Sequence, residues 1–154
     1  MESPRDSLGF LMADVSRLMR RAFARQMDDG TSTLTFAQAR ALVHLARAEG
    51  LRQVELASLL EVQPITLARL IDQLDARGLV ERRADPQDRR ARRLFLTPAA
   101  APHLAAILAV GASVRAAALR DIGAAQAAAL SATLGRMRDN LAGGAAASTG
   151  AAAQ

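Results

Sequence analysis

The chain has 154 residues, a net charge of +5 and a pI of about 11.4, with 51% hydrophobic and 23% charged residues. That length carries one domain with a real core, or one domain plus a helical appendage, and the composition excludes a largely disordered chain. With no cysteine, disulfides, thiolate metal sites and thiol switches are excluded, and four Phe with no Tyr or Trp argue against a base-stacking platform for single strands.

Residues 1–10 carry Glu2 and Asp6 and no long apolar run, so they do not read as a secretory signal. Leu8, Leu11, Met12, Val15, Leu18, Met19, Ala22 and Phe23 recur at gaps of three and four, which predicts an amphipathic helix from about residue 6 to Met27. Asp28-Asp29-Gly30 ends it. Thr35 suits the N-cap of a second helix reaching about Glu49, with Gly50 as C-cap. A short third helix is expected from Gln53 to Leu60. Pro64 at a first helical position opens a fourth, which runs to Ala76 and is capped by Gly78. Leu67, Leu70, Ile71 and Leu74 form its inward stripe.

Leu79–Arg82 and Arg93–Leu96 then read as two short strands, joined by a charged loop with an Asp85-Pro86 turn signal. A fifth helix follows Thr97-Pro98 to about Arg120, and Pro102 makes it either start late or kink. No charged residue lies between Arg93 and Arg115. Yet Pro98, Pro102, His103, Gly111 and much Ala interrupt that stretch, so it reads as a helix of a cytoplasmic protein rather than a membrane span. A sixth helix covers about Ala124–Leu141, and the Gly/Ala/Ser/Thr/Gln stretch 143–154 reads as a disordered tail.

The fold class is thus mainly α with a small β-hairpin. Segments 1–33 and 98–142 flank a unit at 34–97, and their apolar stripes lack partners unless the ends pack together or against a second copy of the chain. Within that unit, two helices joined by a tight turn form a helix-turn-helix candidate, whose second helix would enter the DNA major groove N-terminal end first. Gln63, Thr66 and Arg69 stand off the buried stripe of that helix. Gln suits adenine, Arg suits guanine, and Thr suits a phosphate, a base edge or a thymine methyl. The same three residues could simply cover a solvated face. The hairpin weighs toward DNA: residues 82–93 hold six Arg (82, 83, 89, 90, 92, 93) against Asp85 and Asp88, +4 in one small loop.

Gln63-Pro-Ile-Thr-Leu-Ala-Arg-Leu-Ile-Asp-Gln-Leu-Asp-Ala-Arg-Gly-Leu-Val-Glu-Arg82 resembles the recognition helix of MarR-family regulators. Asp85-Pro-Gln-Asp-Arg-Arg-Ala91, followed by Leu94-Phe-Leu-Thr97, resembles their Asp-x-Arg wing signature, and Gln53-Val-Glu-Leu-Ala57 also fits. The resemblance covers residues 51–97 and leans toward the SlyA-like branch. It implies a winged helix-turn-helix homodimer in which the flanking helices dimerise. It implies a pseudo-palindromic double-stranded DNA operator, a repressor role, and a small aromatic or anionic effector bound between the dimer helices and the DNA lobes. Gln63, Pro64, Thr66 and Arg69 would contact DNA, together with Arg82, Arg89 and the minor-groove Arg90. Asp88 would brace the wing by pairing with an Arg. Arg52 departs from the family, standing where a Ser or Thr cap is common, and Ala99–Ala101 stand where a Gly is frequent.

Catalysis has little basis. His44 and His103 are far apart, and HExxH, P-loop, GxGxxG and GxSxG patterns are absent, so no enzyme, metal site or cofactor is expected. His44 reads as a surface or interface residue, or as an effector-pocket or pH-sensing one. The alternative function is a winged-helix architectural or protein-interaction module without sequence preference.

Overall fold

The computed structural model describes residues 7–28 and 33–150, with side chains through residue 143. In chain order come α1 (Leu8–Asp28), α2 (Phe36–Arg47), β1 (Leu51–Arg52), α3 (Gln53–Leu60), α4 (Pro64–Ala76), β2 (Val80–Ala84), β3 (Arg92–Leu96), α5 (Ala100–Ala118) and α6 (Ala124–Gly150). Two compact units divide the chain, Met1–Arg115 and Ala116–Gln154.

Local signals set most boundaries. Thr35 caps α2 reciprocally with Gln38: the Gln38 amide donates to Thr35 Oγ1 at 3.2 Å, and the Thr35 amide to Gln38 Oε1 at 3.0 Å. The helix ends at Arg47, two residues before the expected Glu49. Ala48 already leaves helical geometry, and Gly50, at φ +79°, turns the chain into β1. Pro64 occupies the first turn of α4. At its other end the Gly78 amide donates to Asp75 O at 2.8 Å and the Leu79 amide to Leu74 O at 2.9 Å, with Gly78 at φ +69°. That paired closure needs a left-handed residue at Gly78. Helix α5 starts late rather than kinking: Pro102 is its third residue, where an amide has no intrahelical partner to lose.

Residues 80–84 and 92–96 form the hairpin, and β3 lies between β2 and β1 in one antiparallel sheet. The two-residue β1 is absent from the sequence expectation, being too short to show alternation. It places Leu51 opposite Leu94 and Arg52 opposite Arg93. The core gathers Leu42 and Leu45 of α2, Leu56 and Leu60 of α3, Leu67, Ile71 and Leu74 of α4, Val80, Leu94, and Met27 of α1. Each large apolar side chain so buried contributes about 1.5–3 kcal/mol.

By length and composition α5 could cross a membrane, yet its Ala100 and Ile107 are buried in that same core. In the second unit α6 runs through Gly150, past residue 143, where the sequence expectation began a tail. Alanine's high helix propensity outweighs the roughly 1 kcal/mol that each of Gly143 and Gly144 costs. Residues 151–154 lie outside the described ones.

Candidate nucleic-acid interface

One side of α4 is used up by the core, and two polar ties hold the helix in place. Gln38 Nε2 of α2 donates to Gln73 Oε1 at 3.0 Å, and Arg77 Nη1 donates to the Thr33 carbonyl at 2.9 Å. The opposite side carries Gln63, Pro64, Thr66 and Arg69, all exposed near the N-terminal half. Gln63 is the N-cap residue, but its side chain makes no capping bond, so its amide remains available. Ile65 joins them at 65% exposure. Sequence reasoning passed over it, although it falls outside the 67–70–71–74 stripe. An exposed Ile there suits contact with a thymine methyl.

The six arginines of the hairpin divide into two sets. Arg82, expected at DNA, is committed to the protein: its guanidinium pairs with Asp75 at 2.8 Å and with Asp72, both on α4. Arg83 pairs with Glu81 and stacks on the Phe95 ring, 4.2 Å from its centroid. Arg93 lies against Asp85 and donates to the Gly50 carbonyl at 3.3 Å. The second set, Arg89, Arg90 and Arg92, is exposed, and among the described residues their guanidiniums enter no ion pair. Arg92 had no assigned role in the sequence expectation beyond its charge.

The wing carboxylate that meets arginines in the structure is Asp85, whereas the sequence expectation placed that pairing at Asp88. Asp88 forms no ion pair among the described residues; its Oδ1 accepts the backbone amide of Arg90 at 3.0 Å and closes the tip turn. Asp85 has no exposed side-chain surface, and its Oδ2 accepts from Arg52 Nε at 2.8 Å. Arg93 Nε lies 3.0 Å from the same oxygen, near it but off the hydrogen-bond direction. Oδ1 accepts the Gln87 amide at 2.9 Å. That amide, then Arg52 and Arg93, hold the Asp85 carboxyl at about 2 although burial pushes the other way. The departure at Arg52 thereby acquires a use. An Arg cannot accept a capping bond at the start of α3, where Glu55 takes up the Arg52 amide at 2.6 Å instead, so its side chain is left to reach the wing.

Away from this surface, α1, α2 and α5 form an open pocket of about 260 Å³ lined by Phe23, Phe36, Val43, Ile107 and Leu108, with Arg40 and His44 as its polar groups. Phe23 and Phe36 meet edge-on at 5.5 Å. Burial, then Arg40 and Arg47, hold His44 below the ordinary histidine range and favour the neutral ring. His103 of α5 is not among the cavity residues. No group of three or more His, Asp or Glu able to hold a metal occurs among the described residues.

Comparison with known proteins agrees with this architecture. The sequence model of the MarR family matches residues 32–91. The transcriptional regulator PA3341 is 39% identical, with 89% of this chain and 99% of that one covered, at a TM-score of 0.72. A probable transcriptional regulator from Pseudomonas aeruginosa is 30% identical, covering 88% and 99%, at 0.68. A MarR-family regulator from Silicibacter pomeroyi is 28% identical, covering 91% and 96%, at 0.75. These matches do not distinguish the SlyA-like branch. With near end-to-end correspondence to regulators of this kind and the winged-helix region itself matched, the chain belongs to the MarR family, whose members are DNA-binding transcriptional regulators and not enzymes.

Proposed function

We propose that this chain represses transcription as a homodimer on a pseudo-palindromic operator, with α4 in the major groove and the wing in the minor groove. One observation carries the reading. The exposed row of the N-cap Gln63 with Thr66 and Arg69 on α4 stands beside a wing on which Arg89, Arg90 and Arg92 are exposed and, among the described residues, without ion partners. Arg69 reads a base and Arg90 enters the minor groove, where narrowing strengthens the negative potential. Thr66 and Gln63 complete the contact row, and Pro64 fixes where it begins.

Dimerisation is supported by α1, whose Leu8, Phe10, Leu11, Val15 and Leu18 are all exposed on a single protomer. Such a row on an isolated surface is costly unless covered. The flanking segments 1–33 and 98–142 supply that interface.

The cavity supports release by a small effector. At about 260 Å³ it lies just below the usual ligand-pocket range of roughly 300–1,000 Å³, so it takes a single small ring. Its aromatic walls suit the ring, and Arg40 with His44 suits an attached anion. Binding shifts the spacing of the two recognition helices if the ligand prefers the form that does not fit DNA.

The test is selection of bound duplexes from a random library, repeated at several salt concentrations and with benzoate added. An enriched inverted repeat with half-sites about 34 Å apart is the expected result. Benzoate should weaken binding to it. Absence of any motif, with binding that vanishes steeply as salt rises, refutes specific recognition and favours the architectural module instead.

A further inference from the structure

A wing tip needs no buried charge to turn, yet this one has a fully buried carboxylate at its root. We propose that Asp85, gripped by Arg52 and Arg93, is a positioning residue that sets the wing's angle against the helix-turn-helix and so brings Arg89 and Arg90 into register with α4. The proposal deepens the DNA-contact reading above and rests on it.

Arg52 and Arg93 are direct cross-strand partners on β1 and β3. Like charges placed opposite one another destabilise a sheet. Asp85, one residue beyond β2, supplies the oxygen that both guanidinium groups approach, at 2.8 Å and 3.0 Å. Its other oxygen takes the Gln87 amide, and its own amide donates to the Ala91 carbonyl at 3.2 Å. Its carboxylate therefore meets arginines of β1 and β3 and takes the Gln87 amide at the start of the tip loop 86–91, while its backbone amide closes the other end of that loop at Ala91.

Its location explains the connection to DNA. Strand β1 runs without a break into α3, and α3 packs on α4 through buried leucines. Arg52 thus links the wing to the helix pair, and the Arg82 pairs with Asp72 and Asp75 tie β2 to α4 independently. A buried ion pair is poor evidence of net stability, because apolar residues of similar volume often do as well. What it supplies is one defined geometry. Reading two grooves at once requires that, since a contact in the minor groove counts only if the tip lies at the right height when α4 is seated.

The experiment uses the full chain in five forms: wild type, Arg90→Ala, Asp85→Asn, Arg52→Gln and the double variant Asp85→Asn with Arg90→Ala. Each is put through the random-duplex selection at one salt concentration, and the base preference is read position by position. Arg90→Ala should erase the preference at the outer positions reached by the wing. Asp85→Asn should erase it by the same factor while the inner positions read by α4 keep theirs, and the double variant should be no worse than Arg90→Ala alone. Arg52→Gln leaves Asp85 its other two partners. It should keep the wild-type circular dichroism and lose part of the outer preference. A uniform loss across all positions would reduce Asp85 to general stability and overturn the proposal. So would an additive double variant, or a folded Arg52→Gln with the whole outer preference intact. If Arg90→Ala changes the outer positions and Asp85→Asn does not, the positioning role alone fails. If Arg90→Ala changes nothing there, the minor-groove reading fails and the proposal falls with it.

Discussion

Replacing Arg82 by Met separates two physical roles for one guanidinium. Met retains most of the stem's packing while removing the charge. In the structure that charge makes two ion pairs with α4, to Asp75 at 2.8 Å and to Asp72. Exposed pairs contribute about 0.2–1 kcal/mol each. Both aspartates are largely exposed, but the Arg82 side chain is only 25% exposed, which favours the upper part of that range. The expected loss is about 1–2 kcal/mol, or a fall in Tm of roughly 2–8 °C for a chain of this size. Thermal melts followed by circular dichroism measure it, and the loss should shrink in high salt. A double-mutant cycle with Asp75→Asn should show coupling, since Arg82→Met loses less once one partner is gone. DNA binding supplies the second readout. If Arg82 faced a phosphate, its removal would lower the slope of log affinity against log salt by about one. Committed to α4, it should leave that slope unchanged. An unchanged Tm together with a slope reduced by one would refute the internal role and restore Arg82 to the DNA surface.

Three further outcomes follow from buried or constrained positions. Ile71→Ala empties a fully buried site beneath the recognition helix and should cost about 2–5 kcal/mol in denaturant unfolding. Gly50→Ala should cost more than Gly78→Ala. Both sit at positive φ and share a backbone penalty of about 1–3 kcal/mol, but a Cβ at Gly50 would meet the Phe95 ring at 3.3 Å, whereas one at Gly78 meets nothing within 4 Å. Equal losses in chemical unfolding would show that the ring gives way freely. Asp85 predicts an acid dependence: its carboxyl lies at about 2 in the fold against an ordinary 3.8, so the folded state favours the charged form. That contribution is present above the ordinary value and fades as pH falls from about 3.8 toward 2. The stability gap between wild type and Asp85→Asn, measured by urea unfolding, should therefore close across that window, and a gap independent of pH would contradict the assignment.

The parts of this molecule that were legible beforehand are those written in neighbouring residues. Pro64 and Gly78 bound α4, and an apolar stripe at gaps of three and four says which side of it faces inward; both signals lie within one element. The ion pairs of Arg82 are not legible for the complementary reason. Its partners, seven and ten residues back on another element, are brought to it only when β2 folds against α4. The pairing of Asp85 with Arg52 is hidden in the same way, because it depends on β1, a strand of two residues with no periodicity to betray it. The cavity has no motif either: Phe23 reads as an ordinary stripe member, and the gap beside it is a property of how three helices meet. Sequence shows how much charge a loop carries but not how much of it is already neutralised. Of the six hairpin arginines, Arg82, Arg83 and Arg93 pair with carboxylates of the same protomer, and Arg89, Arg90 and Arg92 enter no ion pair among the described residues. Salt dependence follows the phosphates a protein neutralises, not the arginines it contains. The wing should therefore behave on DNA as a loop of about half its apparent charge, with the other half serving to hold that loop in place.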